Sequence, residues 1–557
     1  MTSPATNLQQ KYALAASHQQ AGRLREAEAL CQQILAQDPN HADSLHLLGL
    51  IAHQSGHHAE AIGLIQRAIR LNPSAAIYFT SAGLVHRALG QSAAELAAFQ
   101  QAAALAPQVP EAHYNVGAAL DEQRRRAEAI GAYRRAIALR RDFAEAHNNL
   151  GNALRAQGQL AEAIAECRRA TELRLNFAEA FNNLGSALQE DDQLDEAIAA
   201  FEQAIRLRPD YSEAFNNLGN TLRLAGRLQE AVAALRRALA LRPDFPDATW
   251  NLSLVLLLLD HTQEGWDAYE ARRRLRLRFI HYDFAQPEWD GGEVAGKRIL
   301  LHAEQGFGDT IQMSRYAALL ARRGATVYLE CQAELKNLMR GVAGVEQVVG
   351  RGETLPDFDL HCPIMSLPGR FRTTLATIPA EVPYISVDPG KLDEWRHRIV
   401  KENGVLNVGL TWAGRPNPRN RSIPPELLGP LADVPNVRFY SLQIPDPANP
   451  SVLPRGLNAV DCSPHIRDFT DTAAALCNLD LLISIDTATA HLAGALGRPA
   501  WVFLQYAADW RWLVDRSDSP WYATLRLFRQ PRPGDWKTPI ARVAEALARE
   551  ASTLSKV

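Results

Sequence analysis

Long apolar stretches are missing from this sequence. Its greasiest run, LVLLLL at residues 254–259, falls far short of the roughly 20 residues that cross a bilayer. The opening residues MTSPATNLQQKYALAASHQQ hold neither a basic leader nor the apolar core of a secretory signal. No membrane insertion and a cytoplasmic location are therefore expected. Cysteine is scarce: Cys31, Cys167, Cys331, Cys362, Cys462 and Cys477 are scattered without a C-x-x-C pair, which argues against a disulfide framework or a zinc knuckle and suits reduced, mostly buried thiols. Neither sign of charge dominates. A formal net charge of -3, with 22% charged residues, gives no basic excess to draw the chain onto nucleic acid. A G-x-x-x-x-G-K-[ST] loop is also absent, which disfavours an ATPase. Tryptophan is absent before Trp250, and 23 of the 31 prolines follow the first 275 residues, so the two halves differ in construction.

The chain of 557 residues exceeds what one hydrophobic core usually organises. In the first half, Gly49, Gly83, Gly117, Gly151, Gly185 and Gly219 recur at an interval of 34 residues. Alanines keep the same phase at Ala61, Ala129, Ala163, Ala197 and Ala231 and at Ala68, Ala102, Ala136, Ala170, Ala204 and Ala238, and prolines at 39, 73, 107, 209 and 243 close units. Each unit reads as two helices that approach closely through small residues, and no unit buries its apolar face without a neighbour. On these positions the segment resembles the tetratricopeptide repeat family, over about seven units from residue 8 to 245 plus a degenerate eighth.

Asn115, Asn149, Asn183, Asn217 and Asn251 occupy one position of five successive units. A carboxamide both donates and accepts, so such a row can clasp the backbone of an extended peptide of any sequence. The row resembles the asparagine ladder of eukaryotic O-GlcNAc transferase, and that resemblance implies a protein or peptide acceptor in the repeat groove. The plainer reading is an asparagine that bonds a neighbouring helix. Earlier units carry Leu47 and Ser81 there instead. His41, His46, His53, His57 and His58 lack the cysteine or carboxylate partners of a metal site and read as packing or surface residues. The arginines of ARRRLRLRF (271–279) read as a solvated helix face, with RNA binding the alternative.

From about residue 276, short apolar strands alternate with helices, as in RILLHAE, TVYLE, NVGLTWAG, VRFYSLQ, LLISID and PAWVFL. This pattern predicts parallel α/β sheets in two lobes, 276–395 and 396–557, behind a repeat domain spanning 1–275. Two stretches carry chemistry. In HAEQGFGDTIQMSRY a strand runs into a turn at Gly306 and Gly308, and Asp309 opens a helix, either as a helix cap or as a reactive carboxylate. Ile311 stands where a dinucleotide fingerprint needs its third glycine. His302, Glu304 and Gln305 complete this candidate cleft loop. In LLISIDTATAHLAGALGRPAWVFL a buried strand delivers Asp486 and Thr487 to a helix start where Ala488 and Thr489 offer amides to an anion, with His491 one turn on. Asp486 could otherwise be a cap and His491 a packing residue.

Together the two stretches resemble glycosyltransferase family nine, the heptosyltransferase-like enzymes of GT-B fold with two Rossmann-like lobes, over residues 285 to 545. The resemblance implies that Asp309 is the catalytic base and that the segment with Asp486, Thr487, Ala488, Thr489 and His491 holds the donor's diphosphate, with Asp486 or His491 in reach of ribose or sugar hydroxyls and Gln443 also binding the donor. A basic residue from TWAGRPNPRNRSIP should support that diphosphate; Arg415, Arg419 and Arg421 are available, and Arg421 is favoured. The implied activity is inverting transfer of a sugar from a nucleotide sugar to a serine or threonine hydroxyl of a protein, without a metal. The domain order is similar to bacterial flagellin glycosyltransferases, which makes flagellin a candidate acceptor. The alternatives are a lipid-linked or polysaccharide acceptor with the repeats as a docking scaffold, and a non-catalytic scaffold. Asp357 and Asp359 could imitate a metal-binding D-x-D but read as structural, and the aromatics of QYAADWRWL and SPWYATLRLFRQ read as packing around a crossing C-terminal helix or as a stacking surface for a base or sugar.

Overall fold

A computed structural model describes residues 4–275, 280, 282–414, 421–445, 453 and 456–554. Sixteen α-helices run from Pro4 to Tyr269, in pairs such as Ala144–Ala156 with Leu160–Leu173 and Ala178–Glu190 with Leu194–Leu207. The eighth pair, Pro246–Leu258 and Thr262–Tyr269, is complete, with a shortened second helix. The turn inside each pair places one residue in the left-handed region, and that position also recurs every 34 residues: Gly22, Gly56, Gly90, Arg124, Gly158, Asp192, Gly226 and Asp260 all have φ between 58° and 82°. Five are glycine, which takes this conformation without steric cost.

The chain divides into two compact units, residues 1–214 and 215–557. In the first, each periodic glycine faces the side chain sixteen residues later on the partner helix. A Cβ on Gly83 would lie 2.5 Å from the Phe99 ring, and one on Gly117 would lie 2.6 Å from Tyr133. Neighbouring repeats are tied at a fixed phase by Arg140–Glu111, Arg174–Glu145 and Arg208–Glu179 ion pairs.

The second unit holds two sheets in which every pairing is parallel. The first contains β1 (Arg298–His302), β2 (Thr326–Cys331), β3 (Gln347–Gly350) and β4 (Leu360–Pro363), in the order β3-β2-β1-β4. The second contains β5 (Leu406–Thr411), β6 (Val437–Ser441), β7 (Ala459–Asp461), β8 (Leu481–Ile485), β9 (Ala500–Leu504) and β10 (Leu525–Arg529), in the order β10-β9-β8-β5-β6-β7. β5, β8 and β9 are buried along their whole length, the mark of parallel strands covered on both faces. One hydrophobic cluster joins Leu301 and Ile311 of the first sheet's layer to Leu492, Trp512 and Tyr522 of the second, and it also takes in Trp266 and Tyr269 of the last helix pair. The composition changes near residue 275, but the compact unit starts at 215 because these repeat side chains belong to the same core as the strands.

Three sequence expectations change here. Arg272, read as part of a solvated face, is fully buried: its guanidinium donates to Glu304 and Ser366 at 2.7 Å and to Glu270 at 2.7 Å. Arg276 and Arg278 lie outside the described residues. The aromatics Trp510, Trp512, Trp521 and Tyr522 are buried core residues; Trp510 meets Trp266 edge-on, with centroids 5.0 Å apart. The C-terminal helix Lys537–Leu554 packs with one aromatic of these stretches, Phe528, in a cluster where its Ile540, Val543 and Leu547 also meet Leu406, Val408 and Trp501 of the second sheet, while the four residues above belong to the other core.

The D-x-D aspartate matches its structural reading. Asp359 pairs with Arg298 at 2.9 Å, which holds its carboxyl down near 2. The described residues contain no group of histidines, cysteines and carboxylates arranged for a metal ion. Five of the cysteines are buried and Cys477 is partly buried, all as free thiols. No described helix is long and apolar enough to cross a membrane.

Candidate functional site

Parallel sheets leave a crevice beyond the carboxyl ends of their strands. In the second unit a cavity of about 890 Å³ occupies that place. Its lining comes from the turn after β1, from Ala413, Gly414 and Arg421 after β5, from Leu442 and Gln443 after β6, from Asp486 to His491 after β8, and from Gln505 to Arg511 after β9. Asp309 and Asp486, 177 positions apart in sequence, both face it.

The two carrying stretches meet directly. The helix Phe307–Met313 packs on the helix Ala488–Ala495, and glycine is required at 308 because a Cβ there would come within 2.7 Å of His491 Cδ2. Gly306 N donates to Asp309 Oδ2 at 2.8 Å, so Gly306 is the cap residue and Asp309, the third residue of the helix, bonds back to it instead of opening the helix itself. Its other oxygen accepts from Arg511 Nη2. Burial raises the Asp309 pKa against the pull of Arg511, and the nearby charge of Asp509 raises it further. A carboxylate with two acceptor positions per oxygen keeps capacity beyond these two bonds.

At the second stretch the Thr487 hydroxyl donates to the Ile485 carbonyl at 3.4 Å and lies 3.2 Å from Ser484 Oγ instead of capping its own helix. The first amides of the helix at Ala488 and Thr489 therefore carry no side-chain cap, and an uncapped helix start beside a cavity suits an anion. Burial lifts the Asp486 pKa to about 6, helped by Asp509 and opposed by Trp512, Arg511 and Arg421. His491 is buried, stacks on Trp512 and places Nδ1 3.1 Å from the Tyr522 hydroxyl. Burial and the arginines Arg511 and Arg315 hold it well below its ordinary value, hence neutral, with Nε2 3.7 Å from Asp486.

Several predicted residues have other roles. His302 is not in the cavity wall; it is buried against His361, with Nε2 3.2 Å from His361 Nδ1, and burial depresses its pKa to about 3. Glu304 is buried behind the turn in the Arg272 ion pair, because a carboxylate that deep needs a cation. Gln305, Gly306 and Gly308 do line the cavity. Gln443 lines it too, but its Oε1 accepts from Trp412 N and Ala413 N at 3.2 and 2.9 Å, so it braces the exit of β5. Arg415 and Arg419 lie outside the described residues.

The asparagine row is half-buried and knits adjacent helices. In the first unit Asn149 donates to the Tyr114 hydroxyl at 3.1 Å and Asn183 to Asn148 Oδ1 at 2.9 Å; in the second, Asn251 donates to Asn216 Oδ1 at 2.9 Å. Asn115 and Asn217 are half-buried at the same phase. The plainer reading of the row is thus realised in these bonds.

The residues that sequence reasoning missed are Arg511, Asp509 and Arg223. Arg511 donates to Asp309, to Asp509 at 2.8 Å and to Gln312 at 2.5 Å, and its charge lies over the Trp510 ring. Repeat side chains, Arg223, Leu224, Trp250, Leu254 and Tyr269, form part of the cavity wall. The aspartate, tryptophan and arginine run in AADWRWL was the available signal for Arg511; Arg223 had none beyond its repeat phase.

Family models described as tetratricopeptide repeat match residues 12–76, 54–110, 80–139, 176–244 and 225–273, and one described as TPR repeat matches 125–154 and 151–192. The first half of the chain is built of tetratricopeptide repeats. A curated protein, Protein FlbA of Caulobacter vibrioides, is 27% identical over 311 residues, 51% of this chain. The chain spans about half the length of that relative, 52%. Solved repeat structures are similar over part of the chain. YrrB, titled a TPR protein with an unusual peptide-binding site, is 22% identical over 33% of this chain and 95% of its own, with a TM-score of 0.30. The Cut9-Hcn1 assembly is 20% identical over 48% of this chain and 52% of its own, with a TM-score of 0.37.

Proposed function

We propose that the chain is an inverting glycosyltransferase that moves a sugar from a nucleotide-sugar donor to a serine or threonine hydroxyl of a protein held by its repeats. The observation that carries this reading is the shared cavity: a carboxylate of raised basicity, Asp309, and an uncapped helix start, Ala488–Ala495, open into one crevice at the strand ends. The helix start and Arg421 take the donor's diphosphate, and Asp486 takes ribose or sugar hydroxyls. Asp309 removes the acceptor hydroxyl proton as that oxygen bonds to the anomeric carbon. The bond from that carbon to the phosphate oxygen breaks, and the nucleoside diphosphate leaves with its charge met by the helix start and Arg421. General-base help of this kind is worth roughly 10²- to 10⁴-fold in rate.

The repeats suit the protein-binding half of the task, since stacked helix pairs present extended surfaces to polypeptide partners. The test incubates purified protein with a panel of nucleotide sugars and candidate acceptor proteins, and reads intact mass. A mass gain of one sugar that disappears with Asp309→Asn supports the proposal. Nucleotide binding with no transfer to any protein would favour a non-catalytic scaffold, and labelled lipid would favour a lipid-linked acceptor.

A further inference from the structure

Within the repeats, Arg87, Arg155 and Arg223 occupy the same position of different units. Arg87 lies 3.5 Å from Glu122, and Arg155 pairs with Glu190, in each case a carboxylate 35 positions on. For Arg223 that place is taken by Leu258, which is buried. Arg223 instead lines the cavity. Its Nη2 donates to Asn220 Oδ1 at 3.0 Å, and its Nε is buried without a hydrogen-bond partner. Burial lowers its pKa with only Asp509 opposing, whereas Arg511 has both Asp509 and Asp309 as charged partners. A half-buried cation that shares its one carboxylate, Asp509, with Arg511 is undercompensated, and a cavity beside it offers the place for an anion.

Resting on the transferase reading, we propose that Arg223 binds a carboxylate of the acceptor, so that the enzyme selects hydroxyl residues flanked by aspartate or glutamate. The acceptor side is indicated by the neighbours. Asp509, the charge facing Arg223, bonds Arg511, which bonds Asp309, the residue that meets the acceptor hydroxyl. Trp250 and Leu254, on the adjoining repeat helix, supply apolar lining for the rest of the acceptor segment.

The test measures binding of two fluorescent peptide pools to the full chain by anisotropy. Each pool has a central serine or threonine, flanked by Glu and Asp in one and by Gln and Asn in the other. Wild type should bind the acidic pool roughly 10- to 100-fold more tightly, as for a charge-assisted hydrogen bond. Arg223→Gln should erase that preference, and Arg223→Lys should retain part of it. Equal binding of the two pools, binding of neither, or an unchanged preference in Arg223→Gln overturns the proposal. If Arg223→Gln instead weakens UDP-glucuronate relative to UDP-glucose and leaves the peptides unaffected, the assignment to the acceptor is wrong. Nucleoside diphosphate binding, measured in parallel by calorimetry, reports on the transferase reading separately from the peptide preference.

Discussion

Replacing Asp486 by asparagine should make the α/β unit more stable at pH 8 than the wild type and leave it no more stable at pH 4. The carboxyl sits at the end of a fully buried strand with its side chain 25% exposed, and its pKa is raised from 3.8 to about 6. The neighbouring His491 is neutral and cannot compensate the charge. Because the folded protein holds the proton more tightly than the unfolded chain, the ionised form opposes folding. The stability is fully present below about pH 4, falls as pH rises toward 6, and is level above that. A rise of this size is worth up to about 3 kcal/mol. The assay compares the melting transition of variant and wild type in steps from pH 4 to pH 8, so that every other titrating group cancels. The difference should move in the variant's favour by a few degrees across that interval. A difference that is flat with pH, or that moves the other way, would refute the buried and undercompensated placement of Asp486.

Four further outcomes follow from the packing. Gly308→Ala forces a Cβ to 2.7 Å from His491, so it should lower the melting point by an amount equivalent to about 1–3 kcal/mol and weaken nucleotide binding in the same preparation. Arg272→Met leaves Glu304 buried without its cation, and denaturant unfolding should show a loss of about 3–5 kcal/mol. Arg124→Gly places glycine at a left-handed turn residue with φ 60° and should stabilise the repeat unit by about 1 kcal/mol in the same measurement. Asn183→Ala removes the bond to Asn148 and should cost about 0.5–1.5 kcal/mol, even with no peptide present.

The repeats were legible because their helices pack by the same contact each time. Gly83 against Phe99, Gly117 against Tyr133 and Gly185 against Phe201 impose one spacing, and the sequence shows it as a period. The left-handed turn shares that period, but Arg124, Asp192 and Asp260 hide it by replacing glycine with residues that tolerate or accept the strain. The strands β1, β2, β5, β6, β8 and β9 were legible as apolar runs, whereas the short β3 and β7 carry too few apolar residues to stand out. The turn at Gly306–Asp309 and the helix start at Thr487 were legible because a tight bend from a strand into a helix needs small and capping residues in fixed order. What could not be read was long-range charge pairing. The Arg511–Asp309 and Arg272–Glu304 pairs link positions 202 and 32 residues apart, and an arginine looks the same in sequence whether buried or solvated. The same limit applied to Trp510, Trp512 and Trp521, whose core role depends on Trp266 arriving from the last repeat pair.

The most direct measurement of the central claim is the calorimetric binding of UDP, GDP, ADP and dTDP to the wild-type chain and to Arg421→Ala. At least one nucleoside diphosphate should bind in the micromolar range, and the variant should lose about tenfold or more in affinity, as expected when one charge-assisted contact to phosphate is removed. Absence of heat with every nucleotide, or equal affinity in the variant, would contradict the placement of the donor's diphosphate between the Ala488 helix start and Arg421.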